Sequence, residues 1–151
     1  MSARIRRTAA ATLALVVVMS SVAACSSSAE RLTGRTWQLS SVTEKVPAFQ
    51  GVVPSSDQSR YTIKFNEDGT AAIKADCNNV AATYTTQEKN ITIIPGPSTL
   101  AACPDDSLGD KFIAGLSSAT TYNISPAGRV GSGGLTLYIL NEGRLEFVAA
   151  Q

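Results

Sequence analysis

From Arg35 onward, apolar and polar residues mostly alternate with a period of two, the pattern of half-buried strands. Arg35 to Val42 sets Trp37 and Leu39 on one face. Pro47 to Ser59 is rich in Pro, Gly and Ser and reads as a loop. Tyr61, Ile63 and Phe65 share a face, Asn66-Glu67-Asp68-Gly69 supplies a turn, and Thr70 to Ala75 returns with Ile73 inward and Lys74 outward. Val80 to Thr85 and Ile91 to Ile94 predict a second hairpin across Gln87-Glu88-Lys89-Asn90, after which Pro95-Gly96-Pro97 is expected to break the chain. Thr120 to Ile124 reads as a further strand and Arg129 to Gly134 as a Gly-rich loop. Leu135 to Leu140 and Leu145 to Val148 flank Asn141-Glu142-Gly143 as a third hairpin.

One segment changes period. Between Asp106 and Ala119, Leu108, Phe112 and Leu116 recur at every fourth position, with Ile113 and Ala119 near the same face. That spacing predicts a helix, weakened by Gly109 and Gly115. Pro104, Asp105, Asp106 and Ser107 suit its start, because side-chain oxygens cap free N–H groups and acids favour the positive end of the dipole. The expected fold is mainly β (α+β): a small antiparallel barrel of about seven or eight strands, closed to remove exposed edges. The helix is expected over its open end or seam.

The first 24 residues have a different pattern. Arg4, Arg6 and Arg7 precede a short apolar run from Thr8 to Val18, and small residues follow up to Cys25. This order is that of a secretory signal, and the run is shorter than the roughly 20 residues that cross a bilayer. Val22-Ala23-Ala24-Cys25 resembles the lipobox of bacterial lipoproteins, where the cysteine thiol accepts lipid before the chain is cut in front of it. Residues 1–24 are therefore read as a lipoprotein signal peptide and Cys25 as the lipidation site. Residues 25–31 then form the lipidated end of a flexible polar tether, and 32–151 form the domain. Two or more acyl chains (palmitate among them) would hold the protein stably on the extracytoplasmic side of the cell membrane.

Charge narrows the partners. Of 13 Lys and Arg, three lie in the signal, which holds none of the 12 Asp and Glu, so the domain is slightly acidic and its charges are dispersed. Nothing supports nucleic-acid binding. Histidine is absent from the chain, which excludes the commonest general base, the histidine-dependent triads and histidine zinc sites. No catalytic residues, metal ligands or cofactors are assigned, and the domain is expected to be non-enzymatic.

With Cys25 carrying lipid, Cys77 and Cys103 remain as a pair in a compartment where disulfides persist. A structural disulfide is the favoured reading, with a redox or metal pair and two free buried thiols as the alternatives. Trp37, the only tryptophan, is either a ligand platform or a core residue. Asp105, Asp106 and Asp110 lack the EF-hand pattern for a cation and fit helix capping better. Asp76, Asn78 and Asn79 beside Cys77 form either a polar ligand corner or a side-chain-stabilised turn. Asn90-Ile91-Thr92 and Asn123-Ile124-Ser125 match the glycosylation pattern, a coincidence in a bacterial lipoprotein.

Several motifs in order carry a family resemblance. Leu32-Thr33-Gly34-Arg35-Thr36-Trp37-Gln38-Leu39, then Tyr61 to Phe65 with Asp68-Gly69, then Cys77-Asn78-Asn79 followed by Tyr84, then Ser98 to Pro104, and finally Tyr122 and Leu135-Thr136-Leu137 resemble the META domain of HslJ-like bacterial lipoproteins. Asp76 stands where that family usually has Gly, and Ala101 where Met is common. The resemblance implies a curved antiparallel barrel with one helix and no agreed catalytic residues. It implies a cell-envelope role such as stress response or tolerance, exerted on an unknown envelope protein. A carrier barrel for a small apolar molecule or lipid is an alternative function, and an inhibitor of an enzyme such as lysozyme is another.

Overall fold

The computed structural model describes residues 32–125, 133–140 and 143–150. The expected signal, Cys25 and the expected tether lie outside them, as do Arg129 to Ser132 of the expected loop and Asn141 and Glu142 of the expected third hairpin turn. Among the described residues, nine strands and one α-helix follow in the order β1 (Thr36–Lys45), β2 (Ala48–Val52), a short 3-10 turn (Gln58–Arg60), β3 (Tyr61–Phe65), β4 (Thr70–Ala75), β5 (Asn78–Gln87), β6 (Asn90–Ser98), α1 (Gly109–Ser117), β7 (Ala119–Ser125), β8 (Gly134–Ile139) and β9 (Gly143–Ala149). All strand pairings are antiparallel, and β9 returns to β1, so eight strands close into a barrel that β2 extends beside β1. Closure removes most free edges.

The period-two pattern explains the interior. Tyr61, Ile63 and Phe65 on β3 face inward with Ile73 on β4, Leu137 on β8 and Leu145 and Phe147 on β9, all buried. Trp37 and Leu39 face them from β1, and the indole N–H donates to the Leu32 carbonyl at 2.9 Å. Trp37 is therefore a core residue. The β3–β4 turn needs a left-handed residue, and Gly69 supplies it at φ +81°. Phe65 meets Tyr84 edge to face at 4.8 Å, and the Tyr84 hydroxyl donates to the Asn66 carbonyl at 2.7 Å. That pair ties the turn to β5.

The barrel is weakest between β6 and β7, which share only the Asn90–Thr121 pair. Tyr122 bridges that seam at one end, its N–H donating to Lys89 O at 2.9 Å and its hydroxyl to Glu88 O at 3.2 Å. Beyond it, α1 packs against β6 and also meets β4, β9, β1 and β8, so the helix lies across one end of the barrel. Phe112 is fully buried, 6.3 Å from the Tyr61 ring and 6.0 Å from Phe147. Its burial contributes about 1.5–3 kcal/mol. Gly115 lets the helix come down on Leu145, since a Cβ there would lie 2.9 Å from that side chain.

Five expectations need correction. The segment from Pro47 to Ser59 is not all loop: Ala48–Val52 pairs with β1, with Phe49 and Gly51 turned toward the helix start. Its loop-forming composition hid a strand that needs only five residues. Pro95-Gly96-Pro97 does not break β6, which runs on to Ser98. Proline is tolerated there because β6 has no β7 partner beyond Asn90, and a bulge between Val80 and Ala82 accommodates it. The β5–β6 turn is shorter than Gln87 to Asn90, because those two residues pair and Glu88 takes a left-handed φ of +55°. The helix is shorter at both ends, and Ala119 belongs to β7. Asp105 and Asp106 do not cap it; the Ser107 hydroxyl accepts from Gly109 N–H at 3.1 Å instead.

Candidate functional site

The polar residues around Cys77 converge at the helix-covered end of the barrel. Chain reversal after β4 puts Asp76 in the left-handed region at φ +61°, a conformation that Asp tolerates better than most residues. Its side chain is buried, 7% exposed. Arg60 reaches Oδ1 with Nε at 2.8 Å and a terminal nitrogen at 2.7 Å, and the Tyr61 hydroxyl donates to Oδ2 at 3.3 Å. The same hydroxyl accepts from Leu108 N–H at 3.1 Å. Asp76 N–H also donates to Arg60 O at 2.7 Å. Burial alone would raise the carboxyl pKa. Hydrogen bonds from Ser107 and Arg60, the guanidinium charge and the Tyr61 hydroxyl outweigh it and hold the group below the usual carboxylate range. Asp76 is thus a charged staple joining β3, the β4–β5 turn and the helix start.

The next residues brace a loop. Cys77 and Cys103 form a disulfide with their Cα atoms 5.6 Å apart. Asn78 Oδ1 accepts from Ala101 N–H at 2.8 Å and from the Thr99 hydroxyl at 3.0 Å, while its amide nitrogen donates to Ala101 O at 3.1 Å. Asn79 and Thr99 exchange two bonds, Thr99 N–H to Asn79 O at 3.0 Å and Asn79 N–H to Thr99 Oγ1 at 3.0 Å. The residues on both sides of Leu100 are therefore pinned, yet Leu100 itself is 95% exposed. Of the two readings of this corner, the side-chain-stabilised turn is the one formed. The polar atoms of Asp76 and Asn78 are spent on the protein itself.

Beside the loop, a cleft of about 660 Å³ opens between α1, the end of β6 and residues 99–108. Val80, Pro95, Ile113 and Ala114 give it apolar walls, and Asn78, Thr99, Asp105 and Asp110 give it polar ones. Asp105 and Asp110 take part in no ion pair among the described residues. A shallower apolar depression of about 930 Å³ lies on the outer wall of β4–β6, over Ala72, Ala81, Thr83, Ile94 and Pro97. Among the described residues, no cluster of three or more His, Cys, Asp or Glu could hold a metal. No buried side-chain N or O among them lacks a hydrogen-bond partner, so no orphaned polar atom points to a ligand inside the barrel. Asn90 begins β6 and Asn123 accepts from Lys89 at 3.4 Å, both ordinary barrel positions.

Sequence reasoning picked out Cys77, Cys103, Asp76, Asn78, Asn79, Asp105 and Asp110, and the fold brings all of them to this one end. It placed Asp106 with them, but Asp106 does not line the cleft. It did not single out Arg60 as a site residue, it met Thr99 and Leu100 only inside the Ser98–Pro104 motif, and it offered Ser107 only for the helix start, where its hydroxyl does accept from Gly109 N–H. Leu100 carried a signal: it is the one large apolar residue in a stretch of small and polar ones.

Comparison with known proteins adds fold relatives. An NMR structure of a protein from Burkholderia xenovorans is similar with a TM-score of 0.61 and 18% identity, over 81% of this chain and 86% of that one. A crystal structure of a duf4847 family protein from Bacteroides vulgatus ATCC 8482 has a TM-score of 0.51 and 16% identity, over 79% of this chain and 94% of that one. At these identities the likeness is one of fold. No curated protein sequence matches significantly. The model of the META domain matches residues 30–151, which span the whole barrel, the disulfide corner and the helix; the chain belongs to the META domain family.

Proposed function

We propose that this protein is a non-enzymatic barrel of the bacterial cell envelope. Lipid on Cys25 holds it to the membrane, and it works by docking another protein at its helix-covered end. The observation that carries this reading is the braced loop. Asn78, Asn79, Thr99 and the disulfide fix the backbone on both sides of Leu100, whose side chain nonetheless stands in solvent. An apolar side chain held in place beside a cleft is a contact that a docking partner can use at low ordering cost.

The direction of display supports it. Thr33 pairs with Phe65, so the chain enters the barrel at the Phe65 end of β3. The disulfide corner follows Ala75, which pairs with Tyr61 at the other end of that strand. The described chain therefore enters the barrel at the end opposite Leu100, so a tether to Cys25 leaves the loop accessible to a partner. The disulfide fits an oxidising compartment. The interior is filled by Trp37, Phe65, Phe112 and their neighbours, which disfavours the carrier reading.

Fractionation of cells expressing the wild type and Cys25→Ala tests the anchor. The expected result is a membrane-bound wild type with a lipid mass on an N-terminal Cys25 peptide, and a soluble exported variant. A wild-type pool that is soluble in the cytoplasm and unaffected by Cys25→Ala would overturn it. Native mass spectrometry of gently extracted protein tests the carrier alternative: a stoichiometric small apolar ligand would favour that reading over docking.

A further inference from the structure

We infer that the cleft between α1 and β6 receives a basic polypeptide segment with apolar side chains, contributed by an envelope partner; this rests on the docking role proposed above and names the chemistry of what docks. The cleft has an apolar floor and an acidic rim, and among the described residues no Lys or Arg lines it. Two basic side chains on neighbouring elements are engaged elsewhere. Lys111 turns away to Glu44 at 2.6 Å and sits over the Phe49 ring at 4.6 Å, while Arg60 is held by Asp76. Among the described residues Asp105 and Asp110 have no ion-pair partner and stand beside apolar walls, the complement of a Lys or Arg side chain that lays its aliphatic stem on Ile113 and carries its charge to the rim.

Leu100 decides between a polypeptide and other cations. A small amine or inorganic cation has no use for an apolar side chain standing at the rim. A peptide with alternating apolar and basic residues meets Leu100, the floor and the carboxylates together. The pinned loop lowers the ordering cost of that contact, because Leu100 is held in place before the partner arrives. Anionic lipid is disfavoured by the carboxylates, which repel its headgroups.

The test uses full-length protein extracted from membranes in mild detergent and short fluorescent peptides read by anisotropy. One peptide alternates Leu with Lys, and its control replaces every Lys with Gln. The Lys peptide is expected to bind about tenfold more tightly at low salt, the scale of two exposed charge pairs, and to lose that preference as salt rises. Asp105→Asn with Asp110→Asn should abolish the preference, and Leu100→Ser should weaken both peptides. Glu67→Gln, which removes an exposed acid at the opposite end, should change neither. Equal affinity for the two peptides, absence of saturable binding, or a preference that survives the double substitution would each overturn the inference. Photo-cross-linking from position 100 in cells separates this failure from that of the docking role. A protein captured there while the peptides do not bind discards only the basic chemistry, whereas failure of both discards the docking role as well.

Discussion

Removing the Cys77–Cys103 bond is expected to destabilise the domain strongly while leaving its fold in place. The bond joins residues 26 apart. Loop-closure entropy for a loop of that length gives about 3.5 kcal/mol of stabilisation, acting through the unfolded chain. The native side should change little, because the bonded loop keeps its other ties. Asn78 still joins Thr99 and Ala101, and Asn79 still joins Thr99. Trp37 is a ready probe, as the only tryptophan and fully buried. Urea unfolding followed by its fluorescence should place the midpoint of Cys77→Ser/Cys103→Ser about 1.5–2 M below that of the oxidised wild type, at a slope of about 2 kcal/mol per M. Wild type with its disulfide reduced should match the variant. An unchanged midpoint would refute the reasoning, as would loss of cooperative unfolding in the variant. The first would deny the cross-link its entropic effect, and the second would show that the side-chain bonds cannot hold the corner alone.

Other outcomes follow from the same geometry. Phe112→Ala should cost about 3–5 kcal/mol in urea unfolding, because the ring is fully buried against Tyr61 and Phe147 and little can collapse into its place. Asp76→Asn should cost about 2 kcal/mol at neutral pH through loss of the charge-assisted bonds to Arg60. Its cost should also depend on pH. The Asp76 carboxyl is held below its unfolded pKa, so its contribution is complete above the ordinary Asp value near about pH 4 and is lost as pH falls through the folded value. Wild type and Asp76→Asn should therefore converge in stability in strong acid, and parallel stability curves across that range would contradict the staple. Cys25→Ala should release the protein from membranes without changing its unfolding midpoint, since Cys25 precedes the folded domain.

Much of the barrel was legible because most of its strands keep a period of two. Tyr61, Ile63 and Phe65 could face only inward once the core was on one side, and β8 and β9 show the same alternation. The helix announced itself through Phe112 and Leu116. What local pattern could not reveal depended on neighbours distant in sequence. Pro95 and Pro97 look like strand breakers until β6 is seen to lack a β7 partner beside them. Phe49 and Gly51 look like loop residues until Leu108, 57 positions after Gly51, is found close over that glycine, where a Cβ would lie 3.2 Å from its side chain. The corner was half legible: residue types marked Cys77, Asn78 and Cys103, but only the fold shows that Asp76 meets Arg60 and that Asn78 pins both flanks of Leu100. A single exposed leucine has no periodicity to betray it.

Photo-cross-linking in intact cells tests the docking role most directly. A photoreactive residue would replace Leu100 in the native protein, and a second variant would carry it at Lys64, which is exposed on β3. The expected result is a discrete cross-linked envelope protein from position 100 that is absent from position 64 and lost when Cys25→Ala removes the anchor. Identical cross-links from both positions, or none from position 100, would contradict a docking surface at the helix-covered end.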